Sequence, residues 1–281
     1  MIERTTRFGR LVFDRDAIVR AALRAYVEAI FGSGPLKRVS FAACDDPRWT
    51  GDLQRGAVYN GDGCGDYNVV GWTEAGVVGL AYELGWGPIE HLDLPVSAVT
   101  GGPDDVRGAL PGLPAELEPA LVLAAGMLLT GEHKRGDVYV EEKLAGVGFW
   151  LCGDRVAGTL FDDPVDVGAR QLAMWGLLQG GRLLPRSAYF SNPQNRADVA
   201  EWARRDAPIH ALMDRVVDRR LGGPTEFTAD EIERLFPTPL DREQLLGTQR
   251  MLQKVGITWP GSPEIPEPPK PTGPNPFWRQ P

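Results

Sequence analysis

The 281-residue chain reads as an α+β protein: an antiparallel sheet body packed with helices, followed by a helical C-terminal portion and an extended Pro-rich tail. Three observations predict this. Short apolar runs at 56–59, 67–72 and 77–84 are separated by tight Gly-rich connections, the pattern of adjacent antiparallel strands. Segments with a 3.6-residue apolar period precede and follow them. The last stretch, 258–281, holds nine prolines. The implied organisation is a body over 1–163, a helical portion over 164–257 and a tail over 258–281.

The elements follow in order. Residues 7–13 read as a first strand. Asp14-Arg15-Asp16 then supplies a helix N-cap and a first-turn acid. Over 17–31 the period is helical, with Val19, Leu23, Tyr26 and Ile30 on one face and Ile18, Ala22, Ala25 and Ala29 beside them. Gly32-Ser33-Gly34-Pro35 stops that helix. Residues 39–43 are a short strand candidate, broken by Asp45-Asp46-Pro47. The three strands at 56–84 come next. Residues 85–112 are irregular, with room for short helical turns.

Residues 114–130 read as an amphipathic helix with Leu117, Leu121, Ala124 and Leu128 on one face. Residues 146–152 and 155–161 flank Gly153-Asp154 as a second hairpin. After Asp162-Asp163-Pro164 the segments 165–178, 194–221, 228–236 and 240–255 are helical in pattern. Thr228 and Glu231 form a capping box, and Asp241 and Glu243 favour the start of the last helix. A linker rarely carries large aromatics, yet the tail holds Trp259, Phe277 and Trp278. It is therefore expected to dock in extended form on its own body. The alternative is a ligand for a Pro-binding module.

Composition narrows the function classes. The net charge is −8 and the sequence pI about 5.1. Nucleic acid and an anionic membrane both call for a basic surface, so neither is the expected partner. A protein is, and a basic one suits the charge. The longest apolar run, 119–130, is too short for a bilayer, which takes about 20 residues. The first seven residues are not followed by the apolar core of a secretory signal. Cys44, Cys64 and Cys152 are odd in number and widely spaced, with no Cys-x-x-Cys zinc pattern. A reducing cytoplasm is the simplest compartment. Oligomeric state is not readable.

Candidate chemistry concentrates at 60–68. Asn60, Asp62, Cys64, Asp66 and Asn68 alternate with small residues, and Gly65 holds the sixth place, which echoes a calcium loop. Cys64 is soft where oxygen is needed, and Gly71 stands where a bidentate Glu belongs. The stretch reads instead as a Gly-rich turn entering a strand, and no metal or cofactor is assigned. A phosphate loop is disfavoured too, because the glycine spacing is wrong and two acids would repel the ligand.

His91 lies in an irregular stretch before Leu92-Asp93 and is the most plausible functional histidine. His133 follows a helix C-terminus, and His210 sits in a helix beside Ile209 and Leu212 as a packing or surface residue. No catalytic signature surrounds any cysteine or serine. Trp72, Trp150 and Trp175 read as core; Trp49 and Trp86 fall in irregular segments where a Trp suits either packing or an interface. The balanced charges of 196–220 read as a solvated face. The binding candidates are Asp62, Asp66, Trp86 and His91.

The run Gly61-Asp62-Gly63-Cys64-Gly65-Asp66-Tyr67, with the apolar strand 77–83, resembles one segment of the SUKH family. In that family a Gly-rich, Gly-Asp-aromatic turn leads into a hairpin, often followed by a His-Glu pair. Tyr82-Glu83 stands in that place here. The resemblance covers residues 60–84. It implies an α+β fold and, since many bacterial members are immunity proteins, stoichiometric neutralisation of a toxin without catalysis. Two other classes remain open: a hydrolase or transferase using His91 and nearby acids, and an assembly component whose tail clamps a neighbouring subunit.

Overall fold

The computed structural model describes residues 2–6, 9–32, 38–39, 44, 47–61, 66–82, 105–128, 130–135, 138–143, 146–162, 176–177, 180–183, 193–236, 241–261 and 265–266. The fold is α+β, built on a six-stranded antiparallel sheet. The strand candidate at 39–43, the helix candidate at 165–178, Trp175 and most of the Pro-rich tail lie largely or wholly outside the described residues.

The chain opens with a hairpin of β1 (Ile2–Thr6) and β2 (Gly9–Phe13), registered Ile2 to Phe13. Only β2 is legible as a strand, because β1 is the polar run Ile-Glu-Arg-Thr-Thr. Helix α1 (Arg15–Gly32) follows, with Asp14 Oδ1 accepting from Ala17 N at 3.0 Å as the N-cap. Strands β3 (Arg48–Gly51), β4 (Gly56–Gly61), β5 (Tyr67–Thr73) and β6 (Gly76–Tyr82) form a meander. β3 escapes sequence reading because only Trp49 turns inward.

A 3-10 turn (Asp105–Ala109) and a second (Ala115–Leu117) lead into α2 (Glu118–Met127). The β7 (Thr130–Arg135) and β8 (Val138–Lys143) hairpin comes next. It was not expected from its charged sequence, and it places His133 in a strand opposite Val140 rather than at the helix end. Strands β9 (Val147–Cys152) and β10 (Arg155–Ala157) complete the large sheet in the order β10-β9-β6-β5-β4-β3.

Both faces of this sheet are covered, which explains why β4, β5 and β6 are buried almost throughout. Side chains alternate between the faces. Val58, Val70, Trp72, Val77, Phe149 and Leu151 join the α1 side. Tyr59, Tyr67, Val69, Val78, Leu80 and Trp150 join α2, which packs through Leu117, Ala120, Leu121 and Ala124. At Gly71 the helix comes so close that an added Cβ would lie 2.4 Å from the Ala120 carbonyl oxygen. Trp49, on β3, is buried against Tyr26 and Trp72.

The C-terminal portion contains α3 (Pro193–Leu221), β11 (Thr225–Glu226), α4 (Ala229–Leu235), α5 (Arg242–Lys254) and β12 (Ile257–Thr258). The Thr228/Glu231 capping box is complete, and Asp241 caps α5. β11 and β12 pair in parallel. Trp259 packs on Phe227 and Phe236, and both phenylalanines meet Phe31 at the end of α1. One apolar core therefore runs from Leu11 through the sheet and α3 to Trp259. The tail begins docked: Ile265 is buried, and Gln253 on α5 holds its backbone. No helix among the described residues is long and apolar enough to cross a membrane.

Candidate functional site

The hairpin of β4 and β5 brackets the acidic Gly-rich segment, of which residues 62–65 lie outside the described residues. The chain leaves β4 at Gly61 and re-enters the sheet at Tyr67, pairing Gly61 with Tyr67 and Asn60 with Asn68. Asn60 and Asn68 share the α1 side of the sheet by alternation with Val58 and Val70. Both are wholly buried. The Cys44 thiol donates to Asn60 Oδ1 at 3.8 Å. Among the described residues, Asn60 Nδ2 and both side-chain polar atoms of Asn68 have no hydrogen-bond partner. Two asparagines facing each other on central strands cost stability that valines would not.

The opposite face carries a row of tyrosines. Tyr59 and Tyr67 have ring centroids 5.5 Å apart, as do Tyr67 and Tyr82. The Arg48 guanidinium lies 5.0 Å from the Tyr59 centroid. Burial pushes the Tyr67 phenol upward, reinforced by Tyr59 and Tyr82. Tyr82 is also raised, first by burial and then by the charge of Asp66. Asp66 is 4% exposed, so it sits at the root of the turn beside Tyr82 and not on the open surface. Asp62, Trp86 and His91 lie outside the described residues.

A second polar constellation joins α1 to α3. Arg20 donates to Asp218 Oδ1 from Nε at 3.0 Å and Nη2 at 2.8 Å. One turn on, Arg24 Nε donates to Asp214 Oδ1 at 2.7 Å and Nη1 to Glu28 Oε2 at 2.6 Å. Arg24 Nη2 lies 3.0 Å from His210 Nδ1, which is 3.4 Å from Glu28 Oε2. An imidazole accepting at Nδ1 carries its proton on Nε2. Burial opposes ionisation of Asp214, but the hydrogen bond and charge of Arg24, with Arg182 and Arg20, outweigh it and hold the carboxyl below its usual range.

Arg24 and Glu28 are 0% exposed. Gly181, at φ +84°, lies against Arg24 so closely that a Cβ there would approach Arg24 Cβ to 2.3 Å. The Arg24–Glu28 centre of the cluster is sealed, while Arg20, Asp214 and Asp218 at its rim reach solvent, and its chemistry is that of a clasp between helices. His210 is thus a buried packing residue within this network, and Asp214 and Asp218 are inter-helix partners at the rim of a face on which Glu201, Arg204, Arg205 and Arg215 are exposed. A signal for this exists in the sequence. Arg20, Arg24 and Glu28 recur every fourth residue, as do His210, Asp214 and Asp218, and the two stripes match when the helices run antiparallel.

A cleft of about 430 Å³ opens at the N-terminus of α1, walled by Arg15, Asp16, Val19, Arg20, Leu53 and Leu221 among others. Arg15 is already committed there, donating to the carbonyls of Thr73, Leu53 and Gln54 and to Asp16. No group of three or more His, Cys, Asp or Glu side chains able to hold a metal ion occurs among the described residues. No protein-family model, curated protein or solved structure matches the chain.

Proposed function

We propose that the protein is a non-catalytic, cytoplasmic protein-binding protein of the immunity type, which neutralises a basic partner by stoichiometric occlusion. The observation that carries this reading is an acidic chain, with 38 Asp and Glu against 30 Lys and Arg, that sets an Asp-bearing Gly-rich turn between two central strands. Strands paired from Gly56–Trp72 to Gly61–Tyr67 fix both ends of that turn, which lowers the ordering cost of binding. Asp62 supplies charge at the contact, Asp66 shapes the root from within, and Trp86 and His91 contribute apolar and polar contacts. Complementary charge speeds encounter with a basic surface. The buried asparagine pair supports the reading as well, since it sacrifices stability beneath that turn.

The test is a pull-down with the tagged chain from its native lysate, followed by an activity or toxicity assay of the captured protein. The expected result is one basic protein bound one-to-one and inactivated by that binding, with Asp62→Lys slowing association by about tenfold at low salt. A captured protein whose activity is unchanged at saturation, or no stoichiometric capture, sinks the proposal.

A further inference from the structure

Gln253 treats one residue of the tail as a neighbouring strand would. Its Nε2 donates to the Ile265 carbonyl oxygen at 2.6 Å, and its Oε1 accepts from Ile265 N at 2.9 Å. Arg250 Nε donates to the Pro266 carbonyl oxygen at 3.2 Å. Both backbone hydrogen-bonding groups of Ile265 are thus satisfied by a single side-chain amide on α5. The Ile265 side chain is buried, 7% exposed. Leu246, Arg250 and Gln253 share one helix face at i, i+4 and i+7, and Leu246 on that face is 36% exposed. The contact reads main chain plus one apolar side chain, and Pro at the next position keeps the segment extended.

We propose that this face of α5 is a docking slot for an extended Ile-Pro segment, and that its second occupant is the same segment of another copy of this chain, exchanged reciprocally. Every copy carries the segment that the slot already fits, and exchange of an identical element is a low-cost route to a dimer. The six residues 259–264 separate the segment from β12. A tether that short holds the cis segment at an effective concentration of about a millimolar, so the trans arrangement emerges only when chains are crowded or the cis segment is lost. This inference is independent of the proposed function.

The test uses the full-length chain and a fluorescent peptide of residues 263–270. Ile265→Asp empties the slot in cis while leaving β12 and Trp259 in place. The peptide is expected to bind I265D saturably, the wild-type chain about tenfold more weakly because the tether competes, and I265D/Q253A not at all. Equal binding to wild type and I265D overturns the proposal, as does no binding to an I265D chain that melts normally. Should I265D fail to melt cooperatively, small-angle scattering of the wild-type and Q253A chains decides. A wild-type dimer appearing toward the millimolar range and absent in Q253A supports exchange; a monomer throughout, or a dimer indifferent to Q253A, overturns it.

Discussion

Arg24 donates to Glu28 at 2.6 Å with neither side chain touching solvent, and the same guanidinium reaches Asp214 across the helix pair. Removing one member of such a network strands the charge of the others in the core. Arg24→Met is expected to cost about 3–5 kcal/mol. The double change Arg24→Met/Glu28→Leu should cost less than Arg24→Met alone, because no buried carboxylate is then left on α1. Urea denaturation of the two variants checks the order, and a double variant less stable than the single one contradicts it.

Gly71 and Gly126 should respond oppositely to alanine. At Gly71 the new methyl group meets the backbone of α2, so a loss of about 1–3 kcal/mol is expected. At Gly126, within α2, nothing among the described residues lies within 4 Å of the added carbon, and the helix gains up to about 1 kcal/mol. Melting temperatures measured side by side should move apart.

Asn68→Val is expected to stabilise the protein by about 1 kcal/mol, because it removes from a central strand two buried polar atoms with no partner among the described residues. The same change should weaken capture of the partner if the β4–β5 turn is the contact. Denaturation and binding measured on one preparation would show the two effects with opposite sign.

Acid should weaken the fold through particular carboxyls. Hydrogen bonds from Arg219 lower the Glu231 pKa against the opposing effect of burial, and the Arg55 and Gln54 amides lower that of Asp52. A group whose folded pKa is depressed contributes stability that is full above its unfolded value, about 4, and is lost as pH falls through the folded value. Stability should therefore decline below about pH 4. Arg219→Ala should flatten that decline, as read from urea midpoints at successive pH values, because Arg219 makes both of its carboxylate contacts to Glu231.

Legibility followed locality. The strands β4, β5 and β6 were readable because apolar runs and Gly-bearing turns lie within a few residues of each other, and the Thr228 cap because both partners are three residues apart. β1, β7 and β8 were not, since charged residues hide the alternation. In α1 an apolar face was visible, but nearly the whole helix is buried, and Arg24 looks like a surface residue until its neutralising partners arrive from α3. At the candidate site, the hairpin was legible and the burial of Asp66 was not, because it depends on what covers the strand end.

The α1–α3 clasp also sets an order of events during synthesis. Arg24 and Asp214 are separated by 190 positions. At about 5–20 residues per second, roughly 10–40 s pass between their translation. Through that interval α1 has Glu28 and the sheet residues that pack on it, but lacks the counter-charges of Asp214 and Asp218 and the apolar side of α3, so the helix cannot be fully enclosed from the front end of the chain. Completion of the fold waits for the far end to emerge, and the half-made protein is the form most exposed to chaperones and proteases.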